Sequence, residues 1–251
     1  MADLKDTDGE RIAKYLARAG IASRREAEKL IEQGIVTVDG KVLTTPAFKV
    51  TPDMVVRIDG TRVGKPDATK LWRYHKPDGL VTTHKDPQGR PTVFENLAGR
   101  LPRVISVGRL DLTTEGLLLL TNSGALSRRL ELPSTGWTRR YRVRAHGRVS
   151  QKSLDSLQDG VEIDGVQYGP VRATLDQTQG GNVWVTLSIN EGKNREVRNL
   201  MRHLDLQVNR LIRTAYGPFQ LGKLPKDDIE EVPGKQLKEQ LGKKICEEVG
   251  L

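Results

Sequence analysis

Apolar positions along the chain fall first into a helical rhythm. Ile12 and Leu16 stand four apart with Ala13 and Ala17 beside them, which predicts a helix over residues 9–20. Ser23 and Glu26 then have the spacing of a reciprocal N-terminal cap, in which hydroxyl and carboxylate each take a backbone N–H that the helix leaves unbonded. Ala27, Leu30 and Ile31 give that second helix its apolar face, and Gly34 is a natural stop. The period then shortens to two. Ile35–Val42 holds Asp39-Gly40 between short apolar runs, the mark of a tight hairpin, and Met54–Ile58 reads as a further strand. Residues 9–58 form a small module on this reading. Residues 59–69 are polar, with glycine and proline, and read as a linker.

A larger region follows over residues 70–232. Strand patterns cover Leu71–His75, Val104–Val107, Gly116–Thr121, Arg140–Ala145 and Val183–Ile189, the last alternating cleanly through Val183, Val185, Leu187 and Ile189. Helical patterns fall at Pro91–Leu97, Gly124–Leu130, Ser150–Leu157 and Asn194–His203. Several strands follow one another without an intervening helix. The fold class is therefore α+β, with a mixed, mainly antiparallel sheet flanked by helices rather than a doubly wound one. Residues 233–251 read as a charged helical tail, free to fray.

Composition narrows the partner. The 251-residue chain is 36% hydrophobic and can bury a core, which argues against global disorder. Lys plus Arg outnumber Asp plus Glu by 41 to 32, a net charge of +9. That balance suits a polyanion, because neutralising phosphates releases condensed counterions; ordinary solvated charge explains it equally well. With one cysteine, Cys246, no disulfide can form within the chain. This fits a reducing cytoplasm, and Cys246 reads as a packing residue. Met1–Glu10 is acidic and polar with no secretory pattern, no apolar run is long enough to span a bilayer, and a monomer is the default.

Candidate chemistry sits in few places. Arg11, Lys14 and Arg18 share one helical face, and Arg24 and Arg25 open the next helix. Farther on, a strand ends at Gly108, a polar loop carries Arg109, Asp111, Thr113 and Thr114, and an apolar strand begins at Gly116. Such loops present reactive groups from a rigid frame. On the residues alone Asp111 could simply cap a turn, and Glu115 is a rival carboxylate of equal standing. The four histidines lack metal-ligand spacing, which excludes a zinc deaminase, and neither a dinucleotide fingerprint nor a phosphate loop is present. Lys85, Arg128, Arg129, Arg139, Arg140, Arg142 and Arg144 are further phosphate-contact candidates, though each alone fits a solvated side chain better.

Two resemblances sharpen these readings. Arg11–Leu16, Gly20, Ser23–Ala27, Ile31, Gly34, Val36, Val38 and Gly40 resemble the RNA-binding domain first described in small-subunit ribosomal protein S-four. The stretch from Gly108 to Leu120 resembles the catalytic motif of pseudouridine synthases of the RsuA/RluB type. Lys76-Pro77-Asp78-Gly79, Asp86–Val93, Asn122–Leu126, Tyr141, Glu191–Arg198 and Gly217-Pro218-Phe219 match further motifs in order. The loop Asp86–Val93 looks closest to the branch that modifies large-subunit rRNA. Departures are Leu132 before Pro133, Glu196 where glutamine is commoner, and Asp227 where glycine is.

The resemblance implies a cofactor-free isomerisation of uridine in ribosomal RNA, free or in a precursor particle. It implies Asp111 as the catalytic carboxylate, Arg198 as its cationic partner and Tyr141 as the aromatic that stacks on the flipped base. Lys76, Arg90, Arg109, Lys193 and Arg195 join Arg11, Lys14, Arg18, Arg24 and Arg25 as expected RNA contacts. The competing expectations are an RNA-binding ribosome-assembly factor without catalysis and a glycosidase-like hydrolase using Asp111 and Glu115, for which nothing else in the chain suggests a sugar cleft.

Overall fold

The computed structural model describes residues 9–251; residues 1–8, most of the polar N-terminal segment, lie outside them. The chain divides into two compact units. The first runs to Thr69 and includes Leu101–Val104 and Asn122–Gly124; the second comprises Lys70–Arg100, Ile105–Thr121 and Ala125–Leu251.

In the first unit β1 (Glu10–Arg11) leads into α1 (Ile12–Arg18) and α2 (Arg24–Glu32). The reciprocal cap is present: Glu26 N–H donates to Ser23 Oγ at 3.2 Å, and Ser23 N–H donates to Glu26 Oε2 at 2.7 Å. Next come β2 (Val36–Val38), β3 (Lys41–Val42), β4 (Lys49–Val50), β5 (Val56–Ile58) and β6 (Thr61–Arg62). Ile12, Leu16, Ala27, Ile31, Val36 and Val56 share one core. The linker reading is corrected at its start. Asp59-Gly60 turns β5 into β6 with φ of 46° and 75°, as Asp39-Gly40 does with 48° and 80°, and Val63 is buried in the same core. Two successive positive φ values suit the right-handed twist of a hairpin, so residues 59–63 belong to the module.

The second unit contains β7 (Leu71–Lys76), α3 (Val93–Asn96), β8 (Ile105–Ser106), β9 (Thr114–Thr121), α4 (Gly124–Glu131), β10 (Arg139–His146) and α5 (Gln151–Asp155). It continues with β11 (Val161–Ile163), β12 (Val166–Tyr168), β13 (Arg172–Gln179), β14 (Asn182–Ile189), α6 (Glu196–His203), β15 (Gln207–Tyr216), β16 (Phe219–Gln220), β17 (Ile229–Glu231) and α7 (Gly234–Val249). Among the described residues nine strands form one sheet, with the path β13-β14-β10-β15-β9-β7-β17, β16 beside β15 and β8 beside β9. Its pairs are antiparallel except β15 with β9. The α+β reading with a mixed, mainly antiparallel sheet holds.

Two long strands escape the hydrophobic pattern. β13 is an edge strand of polar residues, and in β15 Asn209, Arg210 and Arg213 interrupt the alternation. Yet β15 joins the two halves of the sheet. The tail is also corrected. Leu237, Leu241, Ile245 and Cys246 of α7 pack with Leu117, Leu119, Leu126 and Leu130, and Arg129 pairs with Glu248. Burying four apolar side chains makes α7, which breaks at Gly242, part of the sheet's cover rather than a fraying end.

Candidate active site

β8 ends at Ser106, and the chain reaches β9 through a loop that carries Arg109, Asp111 and Thr113. Several groups fix that loop from below. The Lys76 ammonium donates to the carbonyls of Pro77, Asp111, Leu112 and Thr114 at 2.9, 3.2, 3.3 and 3.0 Å. Gly79 N–H donates to Leu112 O at 2.8 Å, and Thr82 Oγ1 donates to Leu110 O at 2.8 Å. Lys76 is fully buried. Burial pushes its pKa down to about 8, opposed by the carboxylates of Asp78, Asp111 and Glu115.

Gly116 lets β9 and β15 close on each other. Its φ is +103°, and a Cβ there would lie 2.3 Å from the Arg213 carbonyl oxygen. No other residue fits.

Asp111 faces a cleft of about 500 Å³ that Arg109, Arg139, Tyr141, Arg195, Arg198 and Arg213 also line. Tyr141 comes from the inward face of β10, opposite Leu187 on β14 and Arg213 on β15. The Arg213 side chain is buried, donates from Nε to Leu117 O at 2.8 Å and lies over the Tyr216 ring at 5.1 Å. Arg139 donates to Tyr216 Oη at 3.1 Å. Arg195 brings Nη1 to 3.6 Å from Asp111 Oδ2, an ion pair too long for a hydrogen bond. It does so from a left-handed backbone at φ 50°, just before α6. Such strain, about 1–2 kcal/mol for a non-glycine residue, collects where a side chain must be aimed.

Glu115, four residues beyond Asp111, is handled differently. Its side chain is 7% exposed, takes two hydrogen bonds from Arg210 at 2.9 and 3.1 Å, and lies 3.2 Å from Lys226 Nζ. These donors hold its carboxyl below the usual range against the opposing effect of burial. The rival carboxylate is thus closed to substrate.

A cleft with an accessible aspartate on a pinned loop, a buried tyrosine and a ring of arginines fits chemistry on a polyanion. Comparison with known proteins agrees. The model of the RNA pseudouridylate synthase family matches residues 70–203, and that of the S4 domain matches residues 10–56. The chain belongs to the RNA pseudouridylate synthase family. It is 49% identical over 229 residues to an uncharacterized RNA pseudouridine synthase of Rickettsia bellii, covering 91% of this chain and 99% of that protein. It is 44% identical over 233 residues to ribosomal large subunit pseudouridine synthase B of Salmonella typhimurium, covering 89% and 79%. A crystal structure described as a pseudouridylate synthase shares the fold, with a TM-score of 0.65 over 93% of this chain and 100% of that one, at 23% identity.

The synthase's expected site residues separate on the structure. Asp111, Tyr141, Arg109, Lys193, Arg195 and Arg198 meet at the cleft. Lys76 does not: buried under the loop, it cannot touch RNA, and its ammonium instead organises loop carbonyls. Arg198, the expected partner of Asp111, feels its charge, but its hydrogen bonds go elsewhere. Arg198 donates to Thr113 Oγ1 at 2.8 Å and Thr113 O at 3.2 Å, and Arg195 is the arginine within ion-pair reach of Asp111. Arg198 projects from the first turn of α6 toward the loop backbone, three residues on from Arg195. Burial lowers its pKa, as does Arg195, while Asp111 raises it.

Arg90 closes its own loop through a two-point contact with Asp86, at 3.0 and 2.8 Å. Lys193 binds Glu191 and the Gln167 carbonyl, each at 2.6 Å. In the S4 domain Lys14 and Arg18 share Glu10 at 3.1 and 3.4 Å, and Arg11, Arg24 and Arg25 are exposed.

The two acidic departures have structural uses. Asp227, at φ 70°, accepts from Tyr74, Asn96 and Arg100 at 2.8, 2.6 and 3.1 Å and ties β7 to the loop before β17. Glu196 is buried and accepts from Lys193 N–H at 2.9 Å. Burial, then the charge of Glu191, pushes its pKa up to about 7 despite that hydrogen bond. Arg139, a phosphate-contact candidate on the sequence, lines the cleft, whereas Arg213 and Glu196 were not singled out as site residues. Arg213 carried a readable signal, an arginine inside a run otherwise suited to a strand.

Proposed function

We propose that this synthase converts a uridine of large-subunit ribosomal RNA to pseudouridine, with Asp111 as the catalytic carboxylate. The observation that carries the reading is the placement of Asp111: a solvent-accessible carboxylate on a pinned loop, lining the same cationic cleft as Tyr141. The target base leaves its helix, at a cost of a few kcal/mol, and stacks on Tyr141. Asp111 attacks the ribose at C1′ or takes a proton from the sugar, and the bond from C1′ to N1 breaks. The uracil turns, C5 bonds to C1′ as the Asp111–C1′ bond breaks or as Asp111 returns the sugar proton, the C5 proton leaves and N1 gains one. The exchange is redox-neutral and consumes no co-reactant. Arg195 and Arg198 hold the charged carboxylate and its loop, while Arg109 and Lys193 contact the RNA. The S4 domain tethers the same RNA in the cytoplasm, and the large-subunit assignment is supported by the relative named for that activity.

The test is tritium release from rRNA labelled at uridine C5. Wild type is expected to release tritium from 23S rRNA and not from 16S rRNA, and Asp111→Asn to release none while still binding RNA. If wild type binds both RNAs and releases tritium from neither, free or as precursor particles, the assembly-factor reading replaces this one.

A further inference from the structure

The sheet has a second cationic face that the reaction leaves unused. Along β10 exposure alternates strictly: Tyr141, Val143 and Ala145 are buried, and Arg140, Arg142 and Arg144 are exposed. Since Tyr141 lines the cleft, the three exposed arginines lie on the opposite face. The pairing registers extend that face across four strands. Arg172, Ser188 and Arg140 make one cross-strand row; Thr174, Thr186, Arg142 and Ile212 make the next; Trp184, Arg144 and Arg210 make the third. None of these residues is fully buried, and Arg140, Arg142, Arg144, Arg172, Thr174 and Arg210 are exposed, while Ile212 at the margin packs against the core under α7. Arg210 is taken by Glu115, and Arg142 has a long contact with Asp176 at 3.9 Å. Among the described residues Arg140, Arg144 and Arg172 have no carboxylate within ion-pair distance. Trp184 is partly buried on this sheet face, with the Arg142 guanidinium 4.5 Å above its ring.

We propose that this open face of β13, β14, β10 and β15 docks a second segment of the substrate RNA, away from the segment whose base enters the cleft. Charge complementarity carries the assignment. Five arginines stand on a surface one sheet wide, Arg210 held by Glu115 and Arg142 at a distance from Asp176, and their planar forks fit phosphate oxygens in pairs. Alternate residues along a strand repeat at ~6.8 Å, which sets the three β10 guanidiniums in line to follow a sugar–phosphate backbone. Trp184 lies under the Arg142 guanidinium and holds it on this face by a cation–π contact. A lysine-rich patch would mark only general basicity; this one has an orientation.

The inference rests on RNA being the substrate, and its test reads binding separately from catalysis. The probe is transcribed 23S rRNA bound over a range of salt concentrations. The variant Arg140→Gln/Arg142→Gln/Arg144→Gln is expected to weaken binding at ~0.1 M salt by roughly 10- to 100-fold. It should also flatten the slope of log affinity against log salt by roughly 2–3, about 0.9 for each phosphate no longer neutralised. Lys replacements at the same three positions keep the charges and are expected to restore most of the slope. Removal of three charges elsewhere, Lys235→Gln/Lys238→Gln/Lys244→Gln on α7, is expected to leave it unchanged.

The proposal is overturned if the arginine variant binds 23S rRNA with the wild-type slope, or if the α7 variant weakens binding as much. It is also overturned if naked rRNA binds normally and only precursor particles bind worse, which would assign the face to a protein. Absence of tritium release by wild type would sink the catalytic reading and leave the binding result standing.

Discussion

The loop around Asp111 and the strand position of Glu115 adjoin in sequence and treat a carboxylate in opposite ways. Asp111 is about one-third exposed and has a single loose cation at 3.6 Å. Glu115 is almost fully enclosed, gripped by both arms of Arg210 and by Lys226, which itself reaches Asp78 at 2.7 Å. A carboxylate with both oxygens engaged by cations holds elements together: here it fastens β9 to β15 and to the segment before β17. A carboxylate with lone pairs to spare, on a loop whose backbone is fixed from below, is available to a substrate. The difference lies in what each side chain leaves unpaired, since both stand beside arginines.

The sharpest way to break this comparison is to loosen the loop without touching Asp111. Lys76→Met keeps the volume and removes the donor to four carbonyls. Turnover of labelled rRNA is expected to fall on the order of 100-fold, as misplacing a reacting group does, with KM little changed. An unaltered turnover would mean the loop holds itself. Next comes the lock. Glu115→Gln leaves Arg210 and Lys226 facing a neutral amide. Breaking a buried pair costs about 3–5 kcal/mol, but Arg210 is half-exposed, so about 1–3 kcal/mol is expected, or roughly 2–10 °C in Tm by thermal melting.

Arg195→Gln removes the cation nearest Asp111 and is expected to lower kcat about tenfold without altering Tm, since a loose exposed pair contributes little stability. Arg198→Gln should lower both, because it ties α6 to Thr113. The smallest effect concerns pH. The folded-state pKa of Glu196, about 7, lies above its ordinary 4.5, so the protonated carboxyl's contribution is fully present below about pH 4.5 and lost as pH rises through 7. The unfolding free energy of the wild type is expected to drop between pH 5 and 8 by an amount on the order of 1 kcal/mol, read as a lowered Tm, and Glu196→Gln to flatten that drop.

How much of this could be read from the chain differs between the same two regions. The Ser23 cap, the Asp39-Gly40 hairpin and the alternation of β14 are local rules, and each appears where the residues place it. The loop of Asp111 was also legible, because its motif is contiguous. The lock was not. Glu115 meets Arg210 and Lys226 only through the parallel register of β9 with β15, and no local pattern encodes a partner that distant. The same reason hid the burial of Lys76. Its four acceptors depend on where β7 runs under the loop, and a lysine in a motif reads as a surface cation until that packing is known. Arg195 and Arg198 were separated only by the left-handed turn before α6, which gives no sequence signal at an arginine. Asp59-Gly60 did carry its signal, identical to Asp39-Gly40, and was obscured by the polar run that follows it.

The central claim is that chemistry belongs to Asp111 and architecture to Glu115. Tritium release from 23S rRNA and thermal melting, measured on Asp111→Asn and Glu115→Gln side by side, test it directly. The account predicts no release with wild-type Tm for the first, and release with a lowered Tm for the second. Activity retained by Asp111→Asn, or abolished in a fully folded Glu115→Gln, would contradict it.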